Sequence, residues 1–297
     1  LRLLPCNLEH LLPADHLART VWAVVEGWDL SRFHDRLRAR GSDPGRAAID
    51  PRLLIALWLY AATQNVASGR ELARLCECQD AYRWLCGGVT VSYHTLNDFR
   101  VLDVEALDDL LTQLLAVLTR AAVVRLERIT QDGTRVRASA GSSSFHRRAT
   151  LEKHLEQART HVQTLRQLAD DPASSAQQRA ARQAAATARV ARLDQALQEL
   201  TQLEQAKAAQ KDKPSKQQPA RASATDPAAR RMRLADGGTR PAYNVQFAAD
   251  PHSRAIVGVA VSNVGSDAGL ATPMRQQVEQ RTGQVVRQQL VDGGYCQ

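Results

Sequence analysis

The chain has 297 residues, enough for two or three domains with sizeable cores, and no apolar run long enough to span a bilayer, which argues against a helical membrane protein. Its formal net charge of +8 and pI near 9.6, supplied mostly by arginine, suit a chain that lies against a polyanion and make nucleic acid the first partner to test. Five cysteines, Cys6, Cys76, Cys78, Cys86 and Cys296, form an odd set without framework spacing, so reduced thiols in a cytoplasmic protein are expected rather than disulfides. Cys76, Cys78 and Cys86 also lack the paired CxxC or His spacing of a tetrahedral zinc site and are expected as core thiols. The N-terminus lacks the charged, apolar and small-residue regions of a signal peptide, and the opening Leu1 in place of Met is expected of a piece of a longer translation product.

From Leu11 to about Arg120, apolar residues recur at three- and four-residue spacing and predict an all-α N-terminal domain. Asp50-Pro51 opens one helix as N-cap plus first-turn proline, which puts Leu54, Ile55, Trp58, Leu59 and Ala62 on one face. Ser68 and Glu71 form a capping box for the next helix, with Leu72 and Leu75 turned inward. Ser92 caps a helix through Thr95, Leu96, Phe99 and Leu102, and the leucines at 107, 110, 111, 114, 115 and 118 continue the period. Several short capped helices in succession are compatible with a helix-turn-helix-like module.

At Leu126 the character changes: the run RITQDGTRVRAS carries β-branched residues and an Asp-Gly pair, and predicts a strand around Arg128 to Asp132. Residues 151 to 208 are helical again, with Leu151, Leu155, Ala158, Val162 and Leu165, then Val190, Leu193, Leu197, Leu200 and Leu203, stepping as a coiled-coil seam. A break at Asp170-Asp171-Pro172 folds the segment into an antiparallel helical hairpin. Residues 211 to 225, KDKPSKQQPARASAT, have the composition of a flexible linker. After Asp226-Pro227, a further helix-start signal, the chain turns strand-like at 243 to 250, 255 to 263 and 288 to 292, with a helix from Leu270 to Arg281 between the last two. Two adjacent strands, a helix and a third strand make half of an α/β layer fold, whose missing first strand is the one at Asp132.

Asp132 and Asp292 each close a predicted strand and each precede a glycine, which would let the backbone turn away and leave the carboxylate at the strand tip. Mg²⁺ takes hard oxygen ligands, so acids converging from different elements are what metal-assisted phosphodiester cleavage requires. Either pair on its own is equally an Asp-Gly hairpin turn. Asp250 at a strand-to-turn boundary, Asp267 as a cap of the following helix and Glu279 on an amphipathic helix read as structural acids.

The ordered runs GGTRPAYNVQFAAD, AIVGVAVSN, SDAGLATPM and QLVDGGY resemble the core of bacterial DDE insertion-sequence transposases, and LLPADHLARTV, IDPRLLIALWLYA and SYHTLNDFR resemble the helical N-terminal domain found with that core. The resemblance covers most of the chain apart from the coiled-coil segment and its linker. It implies an α+β multidomain protein: a helical DNA-binding domain at 1–122, the first strand of an RNase-H-like core at 123–150, a coiled-coil insertion at 151–210, a linker at 211–226 and the rest of an incomplete core at 227–297. It implies, further, that Asp132 and Asp292 are the first and second catalytic aspartates, both holding Mg²⁺ or Mn²⁺. The family's third acid, a glutamate on a helix downstream of the second aspartate, has no counterpart before Gln297, so this chain is expected to bind DNA without completing strand transfer.

The partners so implied are double-stranded DNA, as transposon ends and target, and further copies of the chain. Base reading is expected from the helix between Ser92 and Arg100, through Tyr93, His94, Asn97 and Arg100. Tyr93 and His94 are equally readable as ordinary half-buried residues. Arg135, Arg137, Arg147 and Arg148, close after Asp132, are expected near the scissile phosphates, or else form a solvated face. Two rivals stay open: a non-catalytic DNA-binding or regulatory fragment, and a coiled-coil interaction protein built on residues 151 to 208.

Overall fold

The computed structural model describes residues 7–35, 48–102, 104–167, 175–209 and 219–295. It divides into two compact units, Leu1–Ala121 and Ala122–Gln297. Cys6, Cys296, the expected break at Asp170-Asp171-Pro172 and linker positions 211–218 lie outside the described residues.

In the first unit every regular element is helical among the described residues. After a 3-10 turn at Leu8–Leu11 come α1 (Leu17–Glu26), α2 (Ser31–Asp35), α3 (Pro51–Thr63), α4 (Gly69–Cys78), α5 (Asp80–Cys86), α6 (Tyr93–Leu102) and α7 (Val104–Arg120). The caps act locally as the sequence requires. Asp50 Oδ1 accepts the Arg52 N–H at 2.8 Å, and Ser92 Oγ accepts that of Thr95 at 3.2 Å. Ser68 Oγ accepts the Glu71 N–H at 3.4 Å, while the Glu71 carboxylate turns to Arg74 at 2.6 Å instead of closing a capping box. Helix α3 departs from the expected single apolar face. It packs against both α1 and α5, so Leu53, Ala56 and Leu57 are buried beside Leu54 and Ile55, while Leu59 and Ala62 stay exposed. Tyr60 and Tyr82 meet edge-to-face at 5.0 Å in this core.

The second unit is mixed α/β. Its main sheet holds β1 (Arg128–Arg137), β4 (Arg230–Arg233), β5 (Thr239–Ala249), β6 (Ile256–Ser262) and β7 (Gln288–Leu290); β2 (Phe145–His146) and β3 (Ala222–Ser223) make a separate two-stranded ladder. Strand β1 lies between β5, antiparallel, and β7, parallel; the other edge of β5 is shared by β4 and β6. Helix α10 (Ala271–Thr282) covers β6, where Gly258 permits the approach: a Cβ there would sit 2.7 Å from Met274 Sδ and 2.9 Å from Val278.

Helices α8 (Arg148–Gln167) and α9 (Ala176–Ala209) depart between β2 and β3 and pack antiparallel. The direction is fixed by cross-helix pairs that fall in one chain position as they rise in the other, Arg159–Asp194 at 3.0 Å and Arg148–Glu204 at 2.6 Å. Leu151, Leu155, Ala158, Leu193, Ala196 and Leu200 form their shared core.

Three expectations need correcting. No helix starts at Asp226-Pro227: Asp226 accepts the Tyr243 hydroxyl at 2.5 Å, and the chain passes into β4. Residues 219 to 225 are not free linker, because the small side chains of Ala220, Ala222 and Ser223 are buried at the base of the hairpin and Ser223 pairs with Phe145. The first strand does not stop at Asp132 but runs on to Arg137, since β5 continues the ladder opposite it as far as Ala242.

Candidate functional site

Asp132 therefore lies within a strand, opposite Phe247 of β5, and neither a strand tip nor a hairpin turn describes it. Side chains alternate along β1: Ile129 and Gln131 face inward, while Asp132 is exposed. Gly133 meets a different need from a turn. A Cβ at that position would lie 2.2 Å from Gln246 Nε2 and 2.8 Å from Asp267 Oδ1, so only glycine fits against the polar cluster beneath it.

Asp292 follows β7 by two residues and opens a short 3-10 turn, Gly293–Tyr295, in which its Oδ1 accepts the Gly294 N–H at 2.9 Å. The parallel ladder of β1 with β7 ends at Thr130 and Leu290, and Asp132 and Asp292 each follow that last pair by two residues. Asp132 Oδ1 is likewise held by the following backbone, accepting the Gly133 N–H at 2.7 Å. Among the described residues neither carboxylate has a basic partner, which leaves each with an oxygen uncommitted to the protein.

Beneath them lies a polar network that joins five segments. Gln131 Nε2 donates to Gln246 Oε1 at 2.8 Å, Gln289 Nε2 donates to Gln131 Oε1 at 2.7 Å, and the Tyr295 hydroxyl donates to Gln246 Oε1 at 2.5 Å. Asp267 Oδ1 accepts from Asn244 Nδ2 at 2.7 Å and Gln246 Nε2 at 2.8 Å, and its Oδ2 pairs with Arg135 at 3.1 Å. Burial alone would raise the Asp267 pKa, but the Asn244 and Gln246 amides and the Arg135 guanidinium outweigh it and hold the carboxyl below the ordinary aspartate value. Burial pushes the Tyr295 phenol up to about 12, helped by the negative charges of Asp267, Asp132 and Asp292. Asp267 was expected to cap the helix that follows; its side chain instead faces the sheet, because Asn244 and Gln246 offer it donors there. Asp250 is structural, accepting the N–H groups of Ser253 at 3.0 Å and of Arg125 at 3.4 Å, and Glu279 accepts that of Val286 at 3.0 Å.

Mg²⁺ commonly keeps several waters and takes one or two protein carboxylates, so Asp132 and Asp292 fit that donor chemistry. Asp267 adds nothing to the set, as both its oxygens are committed, and among the described residues no three His, Cys, Asp or Glu side chains converge on one metal position. Cys86 is buried and Cys76 half-buried, as core thiols should be, but Cys78 is exposed beside Arg74.

The nucleic-acid candidates are placed unevenly. Tyr93 and His94 stack at 4.0 Å on the first turn of α6, with Arg70 over the tyrosine ring at 5.2 Å and His94 exposed. Asn97 is wedged against Gly69 of α4, and Arg100 stacks on Trp58 at 4.1 Å while donating to the Ala67 carbonyl at 3.2 Å. Arg135 pairs with Asp267, Arg137 with Asp236 at 3.1 Å and Arg148 with Glu204; among the described residues Arg147 has no such partner.

Residues 6–102 match the family model of a transposase domain (DUF772), which covers most of the helical unit and supports a transposase-family protein. No curated protein matches the chain, and no solved structure does. No helix among the described residues is long and apolar enough to cross a membrane.

Proposed function

We propose that the chain belongs to a DDE-type transposase of a bacterial insertion sequence, with an RNase-H-like core in the second unit and a DNA-binding helical first unit. The observation that carries this reading is the parallel pairing of β1 with β7, which ends two residues before Asp132 and Asp292, in a chain whose first unit matches a transposase domain. Asp132 and Asp292 would hold Mg²⁺ or Mn²⁺, which when bound neutralises charge on the phosphodiester undergoing cleavage or transfer. The protein's own part is positioning: Gly133 lets the polar cluster pack directly under Asp132, and Tyr295, anchored on Gln246, fixes the turn that presents Asp292. In the first unit, DNA would meet the first turn of α6 through Tyr93 and His94, with Asn97 and Arg100 supporting the shape of that surface; in the second unit, Arg147 would contact phosphate, with Arg135, Arg137 and Arg148 held beside acids.

The test is cleavage and joining of element-end DNA with Mg²⁺ or Mn²⁺, comparing this chain with one extended by downstream sequence, each with and without Asp292→Ala. Activity in the extended chain that the substitution abolishes upholds the reading. A second reading, a non-catalytic DNA-binding or regulatory fragment, is favoured by the absence of a third converging acid among the described residues. End binding by both chains with no strand chemistry in either would select it.

A further inference from the structure

A pocket of about 640 Å³ opens where the helical hairpin joins the sheet unit; neither Asp132 nor Asp292 lines it, and nothing in the proposed reaction uses it. His146 of β2 and His154 of α8 meet edge-on in it at 5.0 Å, and Arg189 and Arg192 of α9 also line it. Three positions apart on a helix, the two arginines share a face. Of the other arginines on the hairpin and its base, Arg148 is spent on Glu204, Arg159 on Asp194 and Arg230 on Glu199. Arg189 and Arg192 have no acidic partner among the described residues. Arg221 adds a third positive charge nearby, since together with burial and His154 it holds the His146 pKa below its ordinary value. The one acid in the lining, Asp226, is engaged by the Tyr243 hydroxyl at 2.5 Å. Ser139 and Ser143 also line the pocket, each with a hydroxyl that bonds no other group among the described residues. Unpaired guanidinium groups, imidazoles and free hydroxyls around one concavity are the donor set of a phosphate site.

We propose that this pocket binds a backbone phosphodiester of duplex DNA, gripped by Arg189 and Arg192 with Ser139, Ser143 and His154 as further donors. The proposal rests on the DNA-binding reading above and extends it to the hairpin, which becomes a DNA-contacting arm.

The test uses the full chain, a fluorescent DNA duplex titrated at several salt concentrations, and inorganic phosphate titrated separately while the imidazole resonances are followed by NMR. Arg189→Gln/Arg192→Gln is compared with Arg166→Gln/Arg182→Gln, which removes the same charge from exposed hairpin positions that do not line the pocket. Exposure of both pocket arginines predicts an unchanged circular dichroism melt. The pocket variant should lose about tenfold in duplex affinity and lower the salt slope by about 1, and should lose the phosphate-induced histidine shifts, while the control changes far less. Equal weakening by both variants would reduce the effect to net charge and overturn the site. Phosphate shifts lost in the pocket variant with duplex affinity unchanged would make it a free-phosphate site and overturn the DNA assignment. If the unaltered chain binds no duplex at all, the DNA-binding reading itself falls; if it binds and the pocket variant binds equally, only the pocket does.

Discussion

At the scale of single residues, the cluster under Asp132 is the most demanding part of the second unit. Gly133→Ala introduces a methyl where Gln246 and Asp267 already stand, so the variant should lose about 1–3 kcal/mol in urea unfolding although Asp132 is untouched. Asp267 brings a pH signature. Its folded pKa lies below the ordinary 3.8, so it contributes stability in full above that value and loses it as pH falls through the lower folded value. Asp267→Asn should therefore be less stable than the parent near neutrality, with the gap closing below about pH 3.8, as unfolding curves across that range would read out. Asp250 is depressed in the same direction, so some acid sensitivity persists in the variant. Asp132 and Asp292 were visible in the sequence because both precede glycine and both sit at strand-like runs. Asp267, Gln131 and Tyr295 were not, since five segments distant in sequence have to fold before their hydrogen bonds exist. One local signal did exist: Asn244 and Gln246 put amides at period two on the buried face of β5, where an ordinary strand would place apolar side chains.

Among elements, the helices were the most legible because their signals are local. Asp50, Ser68 and Ser92 cap where expected, and Asp50→Ala should cost about 0.5–2 kcal/mol of first-unit stability by thermal or urea melt. The hairpin seam was equally readable, since each of its apolar positions is buried or half-buried in the described helices. Leu200, fully buried between α8 and α9, offers a sharp check: Leu200→Ala should destabilise the second unit by about 2–5 kcal/mol while leaving the first-unit transition in place. Strands were harder. The run RRMR at β4 is three-quarters cationic and carries no alternation that propensity would detect; it becomes a strand because β5 offers it an edge and Met232 a buried side. The Asp-Gly pair in β1 has the signature of a turn, and the flanking strand decides otherwise.

For the whole molecule, the division at Ala121 and Ala122 gives each unit its own core. Residues 1–121 expressed alone should show helical circular dichroism and a single cooperative melt; a featureless melt would mean that the helical unit depends on the remainder of the chain. The change from helical to strand-like pattern near Leu126 was visible in the sequence. The placement of the DNA candidates was not, because ion pairing with distant acids has no sequence signature: Arg135 and Arg137 look like solvent-facing charges until Asp267 and Asp236 arrive beside them. The short β2–β3 ladder has a wider meaning. By pairing Phe145 with Ser223 and His146 with Ala222, it holds the two ends of the hairpin side by side whatever lies between them. The hairpin is thus attached like a blade to a hilt: equal numbers of helical turns can be lost from α8 and α9 together without disturbing the sheet, so arm length is a property that can vary independently of the fold that carries it.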